Sequence, residues 1–299
     1  MCIRDRNYAA GTPENRITFQ AQGAVTNYGW YFREHKAGIT LQGFTVTGQT
    51  VTGNRGTFHL ENGASHIELI GNTVAHHESL PLGVYYGVFT RSVTNIVIRG
   101  NQFLNFKRHA VVVNGRGFLI ESNYFTAPYG YDAIMPNTSD TIIRRNIFYD
   151  VSNYGYLTNG LHCDLIQTFS LGDSGWATNV VVEENFAKNC YATQILMAEA
   201  SAAYPDRVRD WTIRNNIWVN VSASGSIWCE EFKFYNNTYY RSGNSGAPIM
   251  LREGSQARAA GHNAVVVNNI FYECCGDKAS SRDFGFYSIG GTNTLTDYN

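Results

Sequence analysis

An all-β stack of coils, each laid on the coil before it, is the fold class that the sequence predicts. Three observations carry it: a phrase repeated along the chain, an apolar spacing of two inside each copy, and a composition short of helix builders. The 299 residues hold 29 Gly and as many Asn but only 6 Pro, with 14% aromatic and 16% charged residues. Asn and β-formers stand where Glu, Lys, Ala and Leu would fill helices, which argues against a helical bundle and against disorder.

The phrase is an apolar residue, a spacer, a second apolar residue, two spacers, Asn, a spacer, and an aromatic or apolar residue. It reads Ile67, Leu69, Asn72, Val74, then Ile96, Ile98, Asn101, Phe103, and six further copies carry Asn123, Asn146, Asn185, Asn216, Asn237 and Asn269. An earlier copy, Ile39, Leu41, Phe44, Val46, has Phe in the Asn place. The shortest Asn-to-Asn separations lie between 21 and 23 residues and the longest is 39, so a basic coil carries insertions at several points. A period this short excludes paired helices, its irregularity excludes propeller blades, and apolar positions two apart are strand periodicity.

A second strand follows each phrase, over residues 109–114, 132–137, 164–169, 194–197, 226–230 and 248–252. Stacking these strands places Val111, Ile134, Ile166, Ile195, Ile227 and Ile249 in one buried column. The recurring Asn has its own reason: at a sharp bend its amide supplies both donor and acceptor to backbone groups, and in register it bonds the Asn of the next coil.

With that ladder, the aromatic residue after it and the coil length, residues 39–299 resemble the right-handed parallel β-helix proteins of the pectate-lyase-like superfamily. The resemblance implies a single-stranded solenoid of about ten coils, one domain over residues 7–299. Residues 1–6 resemble translated adapter sequence and stand outside the fold. Both ends read as cut, so the chain is expected to aggregate through exposed edges unless caps are restored.

Lys plus Arg is 23 and Asp plus Glu 24, a net charge of -1, which disfavours nucleic-acid binding through bulk positive charge. No apolar run reaches the roughly 20 residues of a membrane helix. Candidate chemistry sits in columns, because equivalent residues of adjacent coils lie about 4.8 Å apart. One column is His109, Asp132, Asp164. Two carboxylates a coil apart need a bound cation such as Ca²⁺, a shared proton or a nearby Arg. The string 161–167 resembles a His-x-Asp-x-Ile-Gln phrase of uncharacterised β-helix proteins. In it His162 and Asp164 are candidates, Ile166 is expected to point inward, and Leu165 and Gln167 outward.

A second outward column is expected to hold Asn114, Asn137, Glu230 and Arg252, with Glu199 displaced by one residue and Trp228 and Met250 beside it. Acidic and amide groups next to planar apolar faces suit a sugar-binding groove, and a solvated face with an ordinary Glu–Arg pair fits equally well. His76, His77, Lys107 and Arg108 rank lower, as paired loop residues. The six Cys (2, 163, 190, 229, 274, 275) have no zinc spacing, and Cys190 and Cys274 read as buried thiols.

The resemblance implies an enzyme acting on an extended polysaccharide in a groove along the coils, as lyase or glycoside hydrolase. It also implies a location that is extracellular, periplasmic or at the cell surface. For a lyase it calls for Ca²⁺ at Asp132 and Asp164, with Arg252 or His162 as base. For a hydrolase, Asp132, Asp164, Glu199 and Glu230 supply acid and base. The Asn-Thr-Asp and Gly-His-Gly hallmarks of polygalacturonases are absent, and the familiar Lys or Arg motifs of pectate and alginate lyases have no match. The superfamily also contains non-catalytic adhesins and phage spikes, so a binding or structural role stays open.

Overall fold

The computed structural model describes residues 11–27, 29–47, 55–75, 85–106, 109–128, 131–152, 163–169, 176–190, 194–221, 225–242, 249–252, 261–274, 286–288 and 295–297. Its strands pair in parallel, in a 19-stranded sheet and a ten-stranded sheet. The smaller sheet takes one short strand per coil, from Thr26–Asn27 through Gln102–Leu104 and Ile147–Ser152 to Ile270–Tyr272. The expected count of about ten coils matches it.

The asparagine ladder runs unbroken. From Asn72 to Asn237, each Nδ2 donates to Oδ1 of the next Asn in the series at 2.9–3.1 Å. Each also donates to a backbone carbonyl of the preceding coil, as Asn146 does to Ile120 at 2.9 Å. The Oδ1 in turn accepts a backbone N–H, as that of Asn146 does from Asn123 at 3.0 Å. At the Phe44 copy the backbone N–H alone bonds Asn72 Oδ1, at 3.0 Å. All eight ladder residues are buried.

What lets so short a coil close is a left-handed residue at each corner. The residue before each ladder position has positive φ, through Gly43, Gly71, Gly100, Ser122, Arg145, Glu184, Asn215, Asn236 and Asn268. A second such column precedes the phrase, with Asn95, Gly117, Asp140, Asn179 and Asp210, and a third includes Asn105, Asp150, Asn189 and Asn220. One αL residue turns the chain sharply without a loop, at a cost that Gly, Asn and Asp bear best.

Between corners the side chains stack as the strands do. Phe103, Phe125 and Phe148 lie ring on ring at 4.9 Å, the spacing of neighbouring strands. Burying each such ring contributes roughly 1.5–3 kcal/mol. On the outer face, Arg99, Glu121, Arg144, Glu183 and Arg214 alternate in register. Glu121 accepts from Arg99 at 2.8 Å and from Arg144 at 2.7 Å.

The register corrects one expected column. Val111, Ile134 and Ile166 stand in line and the column continues through Leu196 and Gly225, where Ile195 and Ile227 were expected, to Ile249, while Ile227 lies opposite Ala198 and Leu251. Leu165 is fully buried rather than outward, as Ala110 and Ala133 are, because this corner turns two adjacent residues into the core. Cys190 is buried as expected, and Cys163, Cys190, Cys229 and Cys274 are free thiols. Burial pushes the Cys190 thiol up to about 12, so it is an inert packing group.

Candidate functional site

The expected column exists and begins one coil earlier. Val88, Val111, Ile134 and Ile166 are in register, so the residues two before each, Tyr86, His109, Asp132 and Asp164, line one edge of the larger sheet. His109 Nε2 lies 3.0 Å from Asp132 Oδ2. The Asp164 backbone N–H donates to Asp132 Oδ1 at 3.0 Å. Gln167, its amide nitrogen turned to the carboxylate so that neither polar atom faces a like group, donates to Oδ1 at 3.0 Å and Oδ2 at 2.7 Å.

Asp132 is therefore an acceptor with a donor on each side. The same geometry tests the Ca²⁺ expectation. Both oxygens of Asp132 face N–H groups, whose positive ends point where a cation would sit, and among the described residues no three His, Cys, Asp or Glu converge as a cation cage. Asp132 and Asp164 as placed do not fit Ca²⁺. Beside them burial pushes the Cys163 thiol far up, and the Asp132 and Asp164 carboxylates add to it.

The imidazole of His109 is fixed on three sides. Its ring lies 5.0 Å from the Tyr131 ring at 24° and 5.6 Å from the Tyr86 ring at 31°. With Nε2 on Asp132, its second nitrogen, Nδ1, is buried and has no hydrogen-bond partner among the described residues. A carboxylate that orients one imidazole nitrogen leaves the lone pair on the other, which is the arrangement of a general base.

A row of side chains on one face of the larger sheet runs beside this edge. Tyr31, His59, Phe89, Val112 and Met135 pair in register, and Gln167, Ser226 and Met250 occupy the same outward column further along. The rings touch in sequence: Tyr31 to His59 at 4.5 Å, His59 to Phe89 at 5.1 Å, Phe89 to Tyr86 at 5.0 Å. Two residues further along each strand stands the opposite wall, with Glu61, Arg91, Asn114 and Asn137. Asn137 Oδ1 accepts from Thr168 Oγ1 at 2.8 Å.

The later coils reorder the expected wall. Glu199, not Glu230, continues the Asn114 and Asn137 column, with Trp228 directly opposite it. The Arg252 guanidinium lies 5.4 Å over the Trp228 ring. Glu230 sits beyond, bridged to Arg209 in the next strand layer. Glu199 is buried, 4% exposed. His162 lies outside the described residues, as do His76, His77, Lys107, Arg108, Cys2 and Cys275.

Tyr31, His59, Tyr86, Phe89, Arg91 and Tyr131 were not singled out from the sequence. A signal existed: carrying the second-strand column back one and two coils from His109 reaches 85–91 and 55–61.

Comparison with known proteins bears on the fold. Residues 62–238 match the family model described as right handed beta helix region. No curated protein matches the chain. Among solved structures, a family 28 exopolygalacturonase of Yersinia enterocolitica matches with a TM-score of 0.57 at 10% identity, over 95% of this chain and 72% of that one. An alginate lyase from Paenibacillus sp. str. FPU-7 matches with 0.50 at 12% identity, over 95% and 88%. The A-module of a mannuronan C-5 epimerase from Azotobacter vinelandii matches with 0.50 at 11%, over 96% and 91%. These likenesses establish a shared architecture, and none of the described helices is long and apolar enough to cross a membrane. With the family model spanning more than half its length, over coils that carry the ladder described above, the chain belongs to the right handed beta helix family.

Proposed function

We propose that the chain is a carbohydrate-active enzyme that cleaves an extended uronate polysaccharide lying along the coils, by elimination with His109 as the base. The observation that carries this is the His109–Asp132 pair, which holds Nε2 and leaves Nδ1 without a described partner beside a row of aromatic side chains. In the step, Nδ1 takes the C5 proton of the uronate, the electron pair forms the C4–C5 double bond, and the C4–O bond breaks. The departing oxygen takes a proton from solvent. Asp132 holds the imidazole and stabilises its cation, a positioning and electrostatic part, with Gln167 fixing Asp132 in turn.

Elimination is favoured over hydrolysis by the state of the carboxylates. Hydrolysis needs two carboxyl groups facing a sugar, whereas Asp132, Asp164 and Glu199 are 1%, 0% and 4% exposed and Glu230, part-exposed, stands off their columns opposite Arg209. The neighbours named above, an exopolygalacturonase, an alginate lyase and a mannuronan C-5 epimerase, support the substrate class by analogy. A substrate of this kind is consistent with a location that is extracellular, periplasmic or at the cell surface. A non-catalytic sugar-binding role is favoured by one observation: His109 is 8% exposed, which limits the access of a substrate to Nδ1.

The test is a panel of uronate and neutral polysaccharides, with and without chelator, following double-bond absorbance and reducing ends together. Absorbance that survives chelation and drops about 10²–10⁴-fold in His109→Ala is expected. Reducing ends without absorbance would replace elimination by hydrolysis, and silence across the panel would leave the binding role.

A further inference from the structure

The wall opposite His109 changes character along the coils. Toward higher numbers it is amide, with Asn114 and Asn137, whereas toward lower numbers Glu61 pairs in register with Arg91, and Arg33 follows Phe32, which faces Leu60. Glu61 accepts from the Tyr31 hydroxyl and from His59 Nε2 at 3.0 Å. Arg33 Nε is 3.4 Å from Glu61, and its guanidinium packs 4.1 Å over the Tyr31 ring with nearly half of the side chain exposed. Glu61 is thus drawn toward Tyr31, His59 and Arg33. Arg91, exposed and one coil before His109, has no hydrogen bond or ion pair among the described residues.

On this molecule that is a departure. The exposed Arg145 and Arg241 bond Glu184 and Glu273 at 2.7 and 2.6 Å, and Arg116 pairs with Asp140. A guanidinium with no described partner beside Phe89, with a second one braced on Tyr31, offers a planar two-pronged donor to an anion, since the neighbouring Glu61 is already engaged by Tyr31, His59 and Arg33.

We infer that Arg91, supported by Arg33, forms a subsite for an anionic substituent, a carboxylate or a sulfate ester, on the sugar unit next to the reacting one on the low-numbered side. This rests on the groove reading above and adds to it which end of the groove reads charge. A polymer charged at every unit gains from this subsite, whereas a neutral one passes Arg91 without a partner.

The experiment titrates the full chain by calorimetry with three oligosaccharides of equal length: an oligouronate, a sulfated neutral glycan and its unsulfated parent. Arg91→Gln is expected to weaken the anionic ligand about tenfold, which is about 1.4 kcal/mol, with the neutral parent unchanged and a shallower salt dependence. Arg91→Lys is expected to fall between the two, keeping charge without the fork. Arg241→Gln, which removes a charge on the smaller sheet, leaves all three affinities as they were. A wild-type preference for uronate or for sulfate over the parent identifies the anion, and either supports the subsite. Equal affinity of wild type and Arg91→Gln for all three, no binding of any, or equal loss of neutral and anionic ligand would overturn it. The two readings fail separately. Arg91-dependent binding without any double-bond product sinks the elimination and keeps the subsite, whereas elimination untouched by Arg91→Gln does the reverse.

Discussion

Asn146 shows what a single ladder residue does. Its amide donates to Asn185 Oδ1 and Ile120 O, and its oxygen accepts from the Nδ2 and backbone N–H of Asn123. Removing the side chain leaves donors and an acceptor buried without partners, at about 1–3 kcal/mol each. Asn146→Ala is therefore expected to lose about 3–5 kcal/mol in denaturant unfolding, and Asn146→Asp to lose less than Ala does, because the acceptor survives. Glu121 is a second such point. Burial works to raise its carboxyl, and the Arg144 and Arg99 hydrogen bonds outweigh burial and hold it below the ordinary range. A folded value below the unfolded one, about 4.3, means that the contribution is present above that pH and is lost as pH falls through the lower folded value. Glu121→Gln is expected to cost about 1–3 kcal/mol at pH 7 and progressively less on acidification, read as converging melting midpoints of variant and wild type.

At the scale of the strand and its corners, Arg145 and Glu184 occupy left-handed positions where their neighbours in the column carry Gly71 and Gly100. The αL conformation costs a non-glycine residue about 1–2 kcal/mol. Since Arg145 and Glu184 also pair with each other at 2.7 Å, Ser122 is the cleaner test. Ser122→Gly is expected to stabilise by up to about 1 kcal/mol and Ser122→Val to destabilise by more than that, with thermal melts as the measure. These corners also explain which parts of the molecule are legible in sequence. The ladder is, because a buried amide bonding its own kind must recur with every coil. The column His109, Asp132, Asp164 is, because no register change intervenes. Ile195 and Glu230 misled because the insertions before the later second strands shift the register by one residue and then by two. Leu165 misled because strict alternation fails where a corner buries Leu165 and Ile166 together. The aromatic row from Tyr31 to Phe89 carries no local signal, since its contacts join residues about a coil apart that are polar or apolar by turns.

For the whole molecule, the stack makes stability close to one-dimensional, because the strands of a coil pair with those of the coils on either side and the ladder passes from each to the next. A lesion at Asn146 removes bonds to Asn123 and Asn185 but none to Asn72 or Asn269. The His109–Asp132 pair and the Arg91 wall are built on the coils before Asn146, so damage spreading along the stack reaches the site from one side. Amide hydrogen exchange on Asn146→Ala resolves this. Protection is expected to fall most in strands Tyr124–Pro128, Ile147–Ser152 and Phe186–Cys190, and to stay near wild type in Thr73–Ala75 and Ile270–Tyr272. An equal loss in all five strands would mean that the solenoid unfolds as one cooperative body, in which case any substitution at the groove would be felt as global stability, and binding or rate changes at Arg91 and His109 would have to be corrected for it.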